Sequence, residues 1–265
     1  MNKKWFITGA SSGIGRNLTK QLLEAGHTVF ATLRKPELLK DLAEIYPGRL
    51  HVDYLELTDL NSIEKAVTNA YAKLGHIDIA VSNAGIGVFG AVEELDSSMI
   101  IDQLNVNLLG SIMLIKALIP FLRKQLKGGH IIQISSEGGQ ITYPGFSLYH
   151  ASKWGIEGFV EATAQDVSSF NISFTIAEPG PTGTNFGNSL KIAKSMEAYQ
   201  STRVHEIKKF INAGFGELDD VADVVEAIIK CTTVENPPFR LPIGKVATKN
   251  IITGLQKRLD AIKMV

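Results

Sequence analysis

Seven short runs rich in β-branched and aromatic residues alternate with longer stretches of helical periodicity, and few folds accommodate that order. The runs are Trp5 to Thr8, Thr28 to Thr32, Arg49 to Tyr54, Ile77 to Ser82, His130 to Ser135, Ile172 to Ala177 and a last one near Arg240 to Ile243. Between them lie Ile14 to Ala25, Pro36 to Ile45, Leu60 to Lys73, Ser97 to Gln125, Tyr149 to Ser168 and Asp219 to Cys231. Continuous apolar strands are those buried on both faces. The pattern predicts one α/β domain over residues 1–265: a doubly wound, mostly parallel seven-stranded sheet with helices on both faces. Right-handed crossovers then gather the loops that follow the strands along one edge, where ligands bind.

The first of those loops is Thr8-Gly9-Ala10-Ser11-Ser12-Gly13-Ile14-Gly15, which opens directly into a helix. Gly9, Gly13 and Gly15 let the backbone turn sharply and approach a pyrophosphate. The free amides around Ser11, Ser12 and Ile14, at the positive end of the helix, suit its charge. An ordinary strand–helix turn is the alternative, and the place after a first strand favours dinucleotide binding. The second strand should end near the adenosine ribose, where a carboxylate marks an NAD site. Leu33 stands there instead, followed by Arg34 and Lys35. Two cations suit a 2′-phosphate, so NADP(H) is favoured over NAD(H), a solvated loop pair being the alternative. After the third strand Glu56-Leu57 offers an acceptor for the adenine amino group. After the fourth, Ser82-Asn83-Ala84-Gly85 brings small residues to the crevice, and Asn83 reads both as a clamp between strands and as a cofactor neighbour.

Tyr149 and Lys153 lie four residues apart on one face of a helix. A free tyrosine titrates near pH ~10, and a neighbouring ammonium favours its phenolate. Ser135-Ser136-Glu137-Gly138-Gly139 follows the fifth strand and puts hydroxyls at the expected site edge; chemistry alone does not choose between the two serines. Together, Thr8 to Gly15, Ser82 to Gly85, Asn107, Ser136 thirteen residues ahead of Tyr149, Lys153 and Pro179-Gly180 match a family in order and spacing. Over nearly its whole length the chain resembles the single-domain short-chain dehydrogenases/reductases, whose fold is the Rossmann fold.

The resemblance implies that Tyr149 is the general acid in carbonyl reduction and the general base in alcohol oxidation. Lys153 would lower its pKa and bond the nicotinamide ribose, and Ser136, chosen by the family spacing, would donate to the substrate oxygen. Asn107 resembles the residue that holds a water in a proton relay through Lys153, with a helix-kinking polar residue as the alternative. Pro179-Gly180-Pro181-Thr182-Gly183-Thr184 resembles the turn beside the nicotinamide, with Thr184 placed to bond the carboxamide and Pro179, Gly180 and Thr182 beside it. Three departures stand out: Ser82 replaces a frequent asparagine, Glu56 a frequent aspartate, and neither Ser11 nor Ser12 is basic. Cofactor preference therefore rests on Arg34 and Lys35.

Val88, Phe89, Ile141, Tyr143, Phe146 and Phe186 are candidate pocket walls and suggest a mainly apolar carbonyl compound or alcohol. Glu137 reads first as a solvent-facing loop carboxylate and second as a contact to a polar substrate. His150 reads as a spacer or pocket wall. The stretch 185–214 shows no strand and weak helical periodicity, and reads as a mobile flap over the site. The tail around Pro237 to Pro242 is expected near the flap or a neighbouring subunit. Lys+Arg and Asp+Glu both count 27, so no basic field attracts nucleic acid or anionic lipid. No metal site is expected from six scattered histidines and the single Cys231. With no run of ~18 apolar residues to span a membrane, a cytoplasmic protein is expected. Surplus apolar surface on the helices at Ser97–Gln125 and Tyr149–Ser168 suggests a homodimer or homotetramer. The competing function is a nicotinamide-dinucleotide-sensing regulatory or scaffold protein without turnover, to which the candidate catalytic residues would be superfluous.

Overall fold

The computed structural model describes residues 2–187 and 189–264; Met1, Val265 and Asn188, the last within the expected flap, lie outside the described residues. The chain opens with β1 (Lys4–Thr8), α1 (Gly13–Glu24), β2 (Thr28–Leu33), α2 (Lys40–Ile45), β3 (Leu50–Tyr54), α3 (Leu60–Leu74), β4 (Ile79–Ser82) and a two-residue β5 (Val88–Phe89). It continues through α4 (Ser97–Leu104), α5 (Ser111–Lys124), β6 (Gly129–Ile134), α6 (Ser147–Asp166), β7 (Ile172–Pro179) and a second short strand, β8 (Lys191–Ile192). Then come α7 (Arg203–Asn212), α8 (Val221–Cys231), β9 (Arg240–Ile243) and α9 (Lys245–Lys263).

Seven strands form one sheet in the order β3-β2-β1-β4-β6-β7-β9, with every pair parallel. The order reverses between β1 and β4, which opens a crevice at their carboxyl ends. Successive residues of β1 feed opposite layers. Trp5 and Ile7 pack with Leu18 and Leu22 of α1 and Val224 and Ile228 of α8. Phe6 packs on the other face with Ile63 and Val67 of α3, Leu114 and Leu118 of α5, and Ile156 and Val160 of α6. Both faces are covered, which is why the strands carry no polar alternation.

Four expectations need correction. The helix predicted over Ser97–Gln125 is interrupted by a π-helical stretch, Asn105–Gly110. Taken through that stretch, Ser97–Lys124 is long and apolar enough by length and composition to cross a bilayer. Its α5 part packs Leu114, Ile115, Leu118 and Leu122, all fully buried, against the sheet, while Ile101 and Leu109 stay exposed. The stretch 185–214 does hold a strand: β8 pairs with β5, and Leu190 and Ile211 close a small core over Phe89, joined by Phe146 and Phe215. Arg240 to Pro242 belong to β9 and pair with β7 in the main sheet, which bears out the seventh run and corrects the second reading of this stretch as a tail. Beyond them α9, unread in the sequence, docks its Ala247 and Ile251 into the body of the protein.

Candidate active site

The predicted site residues sit just past the carboxyl ends of the sheet strands, as the topology requires. Gly9 follows β1 with φ of +68°, and Gly13 opens α1 at +53°. Both values lie in the left-handed region that glycine tolerates best. A Cβ on Gly15 would run into the Gly9 carbonyl and the Asn83 amide, and one on Gly9 would meet Ala84 Cα at 2.7 Å. Asn83 secures this approach: its Nδ2 donates to the carbonyls of Thr8 at 2.9 Å and Gly9 at 3.2 Å. The backbone amides of Asn83 and Ala84 both donate to Thr8 Oγ1. Ser12, the N-cap of α1, makes no side-chain cap bond, the first turn carries no acidic residue, and Ser11 and Ser12 are exposed. An exposed, uncapped helix start beside a backbone cradle that a Cβ would fill fits a dinucleotide pyrophosphate.

Leu33 ends β2 and is buried, while Arg34 and Lys35 are exposed just beyond it, as expected. Arg34 lies 4.0 Å from Glu56, whose Oε1 accepts from the Thr58 amide and hydroxyl at 3.1 Å. Leu57 contributes its side chain to the core, and its carbonyl lies against Gly110. In the turn after β7, Gly180 N–H donates to Ile243 O at 3.3 Å and Thr182 pairs with Asp219. Thr184 reaches the glycine turn; a Cβ on Gly13 would lie 3.2 Å from Thr184 Cβ.

Asn107 lies inside the π-helical stretch and is buried. Its Oδ1 accepts from Ile86 N–H and its Nδ2 donates to Ile86 O, both at 2.8 Å, beside Gly85. Both ends of the amide are thus satisfied by the loop after β4, which removes the cost of a polar group in an apolar helix.

Tyr149 and Lys153 occupy the first turns of α6. The phenol ring is flanked by Phe146, with centroids 6.2 Å apart, and by Phe186 at 5.9 Å. Phe146 in turn packs edge-on against Phe89, with centroids 5.0 Å apart. Lys153 is buried, with Nζ 5.6 Å from the Tyr149 ring centre and donating to Ile134 O at 3.0 Å. Burial pushes the Tyr149 phenol up to about 12, against the Ser136 hydroxyl, which acts the other way. Burial also pushes the Lys153 ammonium down to about 8, and Glu157 opposes that shift. In the protein without cofactor desolvation is the largest influence on the Tyr149 phenol, with Glu137 and Glu157 acting in the same direction. Ser136 caps the short turn Glu137–Gly139, its Oγ accepting from Gly138 N–H at 3.1 Å. Ser135 points elsewhere and donates to Glu157 at 2.5 Å, which separates the two serines that sequence chemistry left open.

Glu137 is not solvent-facing. It is 4% exposed, with Tyr143 OH donating to Oε1 at 3.0 Å and Asn250 Nδ2 of α9 donating to Oε2 at 3.1 Å. His150 is buried beneath it. Its Nε2 accepts from Tyr143 N–H at 2.7 Å and its Nδ1 lies 2.8 Å from Gly138 O, which makes it a neutral tie between the two loops. Behind the site a buried cluster escaped sequence reading. Arg240 Nη1 donates at 2.7 Å both to Glu157 of α6 and to Glu178 of β7, and Gln140 donates to the same two carboxylates. The cluster joins the helix of Tyr149 and Lys153 to the strand that leads into Pro179-Gly180. Glu157 lies four residues beyond Lys153 on the same helical face, and a carboxylate on a buried face was a signal that a cation must lie opposite.

A family model described as short chain dehydrogenase matches residues 3–195. Oxidoreductase BOA17 of Botryotinia fuckeliana is 37% identical over 251 residues, 94% of this chain and 91% of its own. The NADPH-dependent 3-dehydrocapnine reductase of Ornithobacterium rhinotracheale is 30% identical over 227 residues, 84% of this chain and 77% of its own. A solved short-chain dehydrogenase from Streptomyces avermitilis superposes with a TM-score of 0.91 at 32% identity, covering 99% of this chain and 95% of that one. With the glycine cradle, the crevice and the tyrosine–lysine helix in place, the chain belongs to the short-chain dehydrogenase family and is an oxidoreductase built for a nicotinamide dinucleotide.

Proposed function

We propose that the protein is an NADP(H)-dependent reductase that interconverts a ketone or aldehyde and an alcohol on a mainly apolar small molecule. The observation that carries this reading is Tyr149, held between Phe146 and Phe186 with Ser136 beside it and Lys153 one turn on. The bound cofactor supplies or receives the hydride. Ser136 donates to the carbonyl oxygen and stabilises the charge that gathers there, and the Tyr149 hydroxyl delivers the proton. Lys153 would hold positive charge near the phenol and bond the cofactor ribose, while Asn107 ties the loop after β4 to the π-helical stretch. Gly9, Gly13 and Gly15 admit the pyrophosphate, and Thr184 orients the carboxamide. Preference for NADP(H) is supported by buried Leu33, by exposed Arg34 and Lys35 and by the NADPH-dependent relative. We further propose a cytoplasmic homo-oligomer that pairs through α4, α5 and α6, where Ile101, Leu109 and Trp154 are exposed.

Loss of NADPH absorbance against a panel of ketones, aldehydes and quinones tests the reading. Wild type should consume NADPH with at least one class, and Tyr149→Phe should lose about 100- to 10,000-fold of that rate. Cofactor binding without turnover across the panel would instead indicate a dinucleotide sensor.

A further inference from the structure

Five of the 27 basic residues but only one of the 27 acidic ones lie in α9, a net charge of +4 on 19 residues. The neutrality of the whole chain therefore hides one strongly basic helix. That helix also carries apolar surface on the wrong side for packing. Ala247 and Ile251 dock into the body of the protein, while Ile252, Leu255, Leu259 and Ile262 are 45 to 72% exposed. Successive residues turn by about 100°, which gathers those four side chains into a strip about 80° wide and about 15 Å long. Lys245, Lys249 and Lys263, all exposed, run along the edge of the strip that faces away from the body. From Leu255 to Lys263 no side chain is buried among the described residues. A half-helix of that length is marginal in water unless its apolar face is covered.

Two occupants suit the strip. Its 3-4-3 spacing would allow pairing with α9 of a second copy, but two helices of charge +4 would then meet at close range. A bilayer that contains anionic lipid takes in the alkyl side chains at its headgroup boundary and neutralises the lysines beside them. Lys257, on the face opposite the strip, keeps such a helix in the plane of the surface.

We propose that α9 docks the protein on anionic membrane surfaces, lying in the interface with Ile252, Leu255, Leu259 and Ile262 among the lipids. Asn250 of the same helix bonds Tyr143 and Glu137 beside the candidate active site, so docking holds that site next to a phase in which apolar molecules dissolve.

Sedimentation of the full chain with phosphatidylcholine vesicles, with and without phosphatidylserine as about one third of the lipid, tests the proposal. Wild type should partition onto the mixed vesicles about 100-fold or more better than onto the neutral ones, and should lose most of that preference as salt rises from about 0.1 to 0.5 M. Lys249→Gln and Lys263→Gln should each weaken binding about fivefold, and the pair Leu255→Ser with Leu259→Ser by tenfold or more. The salt series on wild type tests the claim without any variant. No binding to either vesicle, or equal binding to both, would overturn it. Sedimentation equilibrium supplies the other outcome: a wild-type mass that the two serine substitutions lower, in a protein that ignores vesicles, would give the strip to a second copy and overturn the membrane assignment. None of these results bears on turnover at Tyr149.

Discussion

Replacing Lys153 with methionine should change how stability depends on pH, by an amount the burial of the amine sets. In the cofactor-free fold the ammonium is pushed from 10.5 down to about 8. Below about pH 8 the lysine is charged in both the folded and the unfolded chain, and the fold bears the full desolvation cost. Between 8 and 10.5 the unfolded chain still holds a proton that the folded one has released, so wild-type stability climbs with pH. At about 1.4 kcal/mol for each tenfold change in proton affinity, that climb is worth about 3 kcal/mol. Methionine has no such climb. It also forfeits the Nζ bond to Ile134 O, about 1 kcal/mol, but that loss offsets the whole curve without bending it. Urea unfolding of both proteins at a series of pH values should show the stability of Lys153→Met relative to wild type falling by about 3 kcal/mol from neutral pH to the far end of that range. Curves that stay parallel within about 0.5 kcal/mol would refute the placement of a desolvated ammonium behind Tyr149.

Two further outcomes follow from residues around the site. Arg240→Met strands Glu157 and Glu178 and should cost about 3–5 kcal/mol at neutral pH in the same unfolding assay. Glu178 is already held above its ordinary value by burial, so the deficit should shrink on acidification as the stranded carboxylates take up protons. Leu33→Asp places a carboxylate at the end of β2 and should move the ratio of kcat/KM for NADPH and NADH toward NADH by tenfold or more, about the worth of one charge-assisted bond; an unchanged ratio would show that β2 does not end at the ribose.

Much of the frame was legible because it repeats. Seven apolar runs alternating with amphipathic stretches fixed the layers, and the glycine turn and the tyrosine–lysine pair fell at strand ends because parallel topology allows them nowhere else. Short and charged features were not legible. β5 and β8 hold two residues each, too few to show a period of two. α9 leaves Ile252, Leu255, Leu259 and Ile262 exposed and buries little beyond Ala247 and Ile251, so its apolar pattern did not mark a packed helix. Missing α9 carried a second error with it, since Asn250 helps to bury Glu137 and without that helix the carboxylate read as solvent-facing. The Arg240 cluster joins residues 62 and 83 positions apart, a separation at which charge pairing leaves no local trace.

In the proposed reaction Tyr149 is a proton donor whose chemistry depends on Lys153 and on the bound nicotinamide. Without cofactor its phenol is pushed up to about 12. The direct test is the phenolate absorbance of wild type against Tyr149→Phe, titrated with and without NADP+, and repeated in Lys153→Met. NADP+ should bring the phenol down by at least two pH units in wild type, about 3 kcal/mol of added preference for the phenolate, and far less in Lys153→Met. A phenol that titrates at the same pH with and without NADP+, or identically in the two backgrounds with cofactor bound, would contradict it.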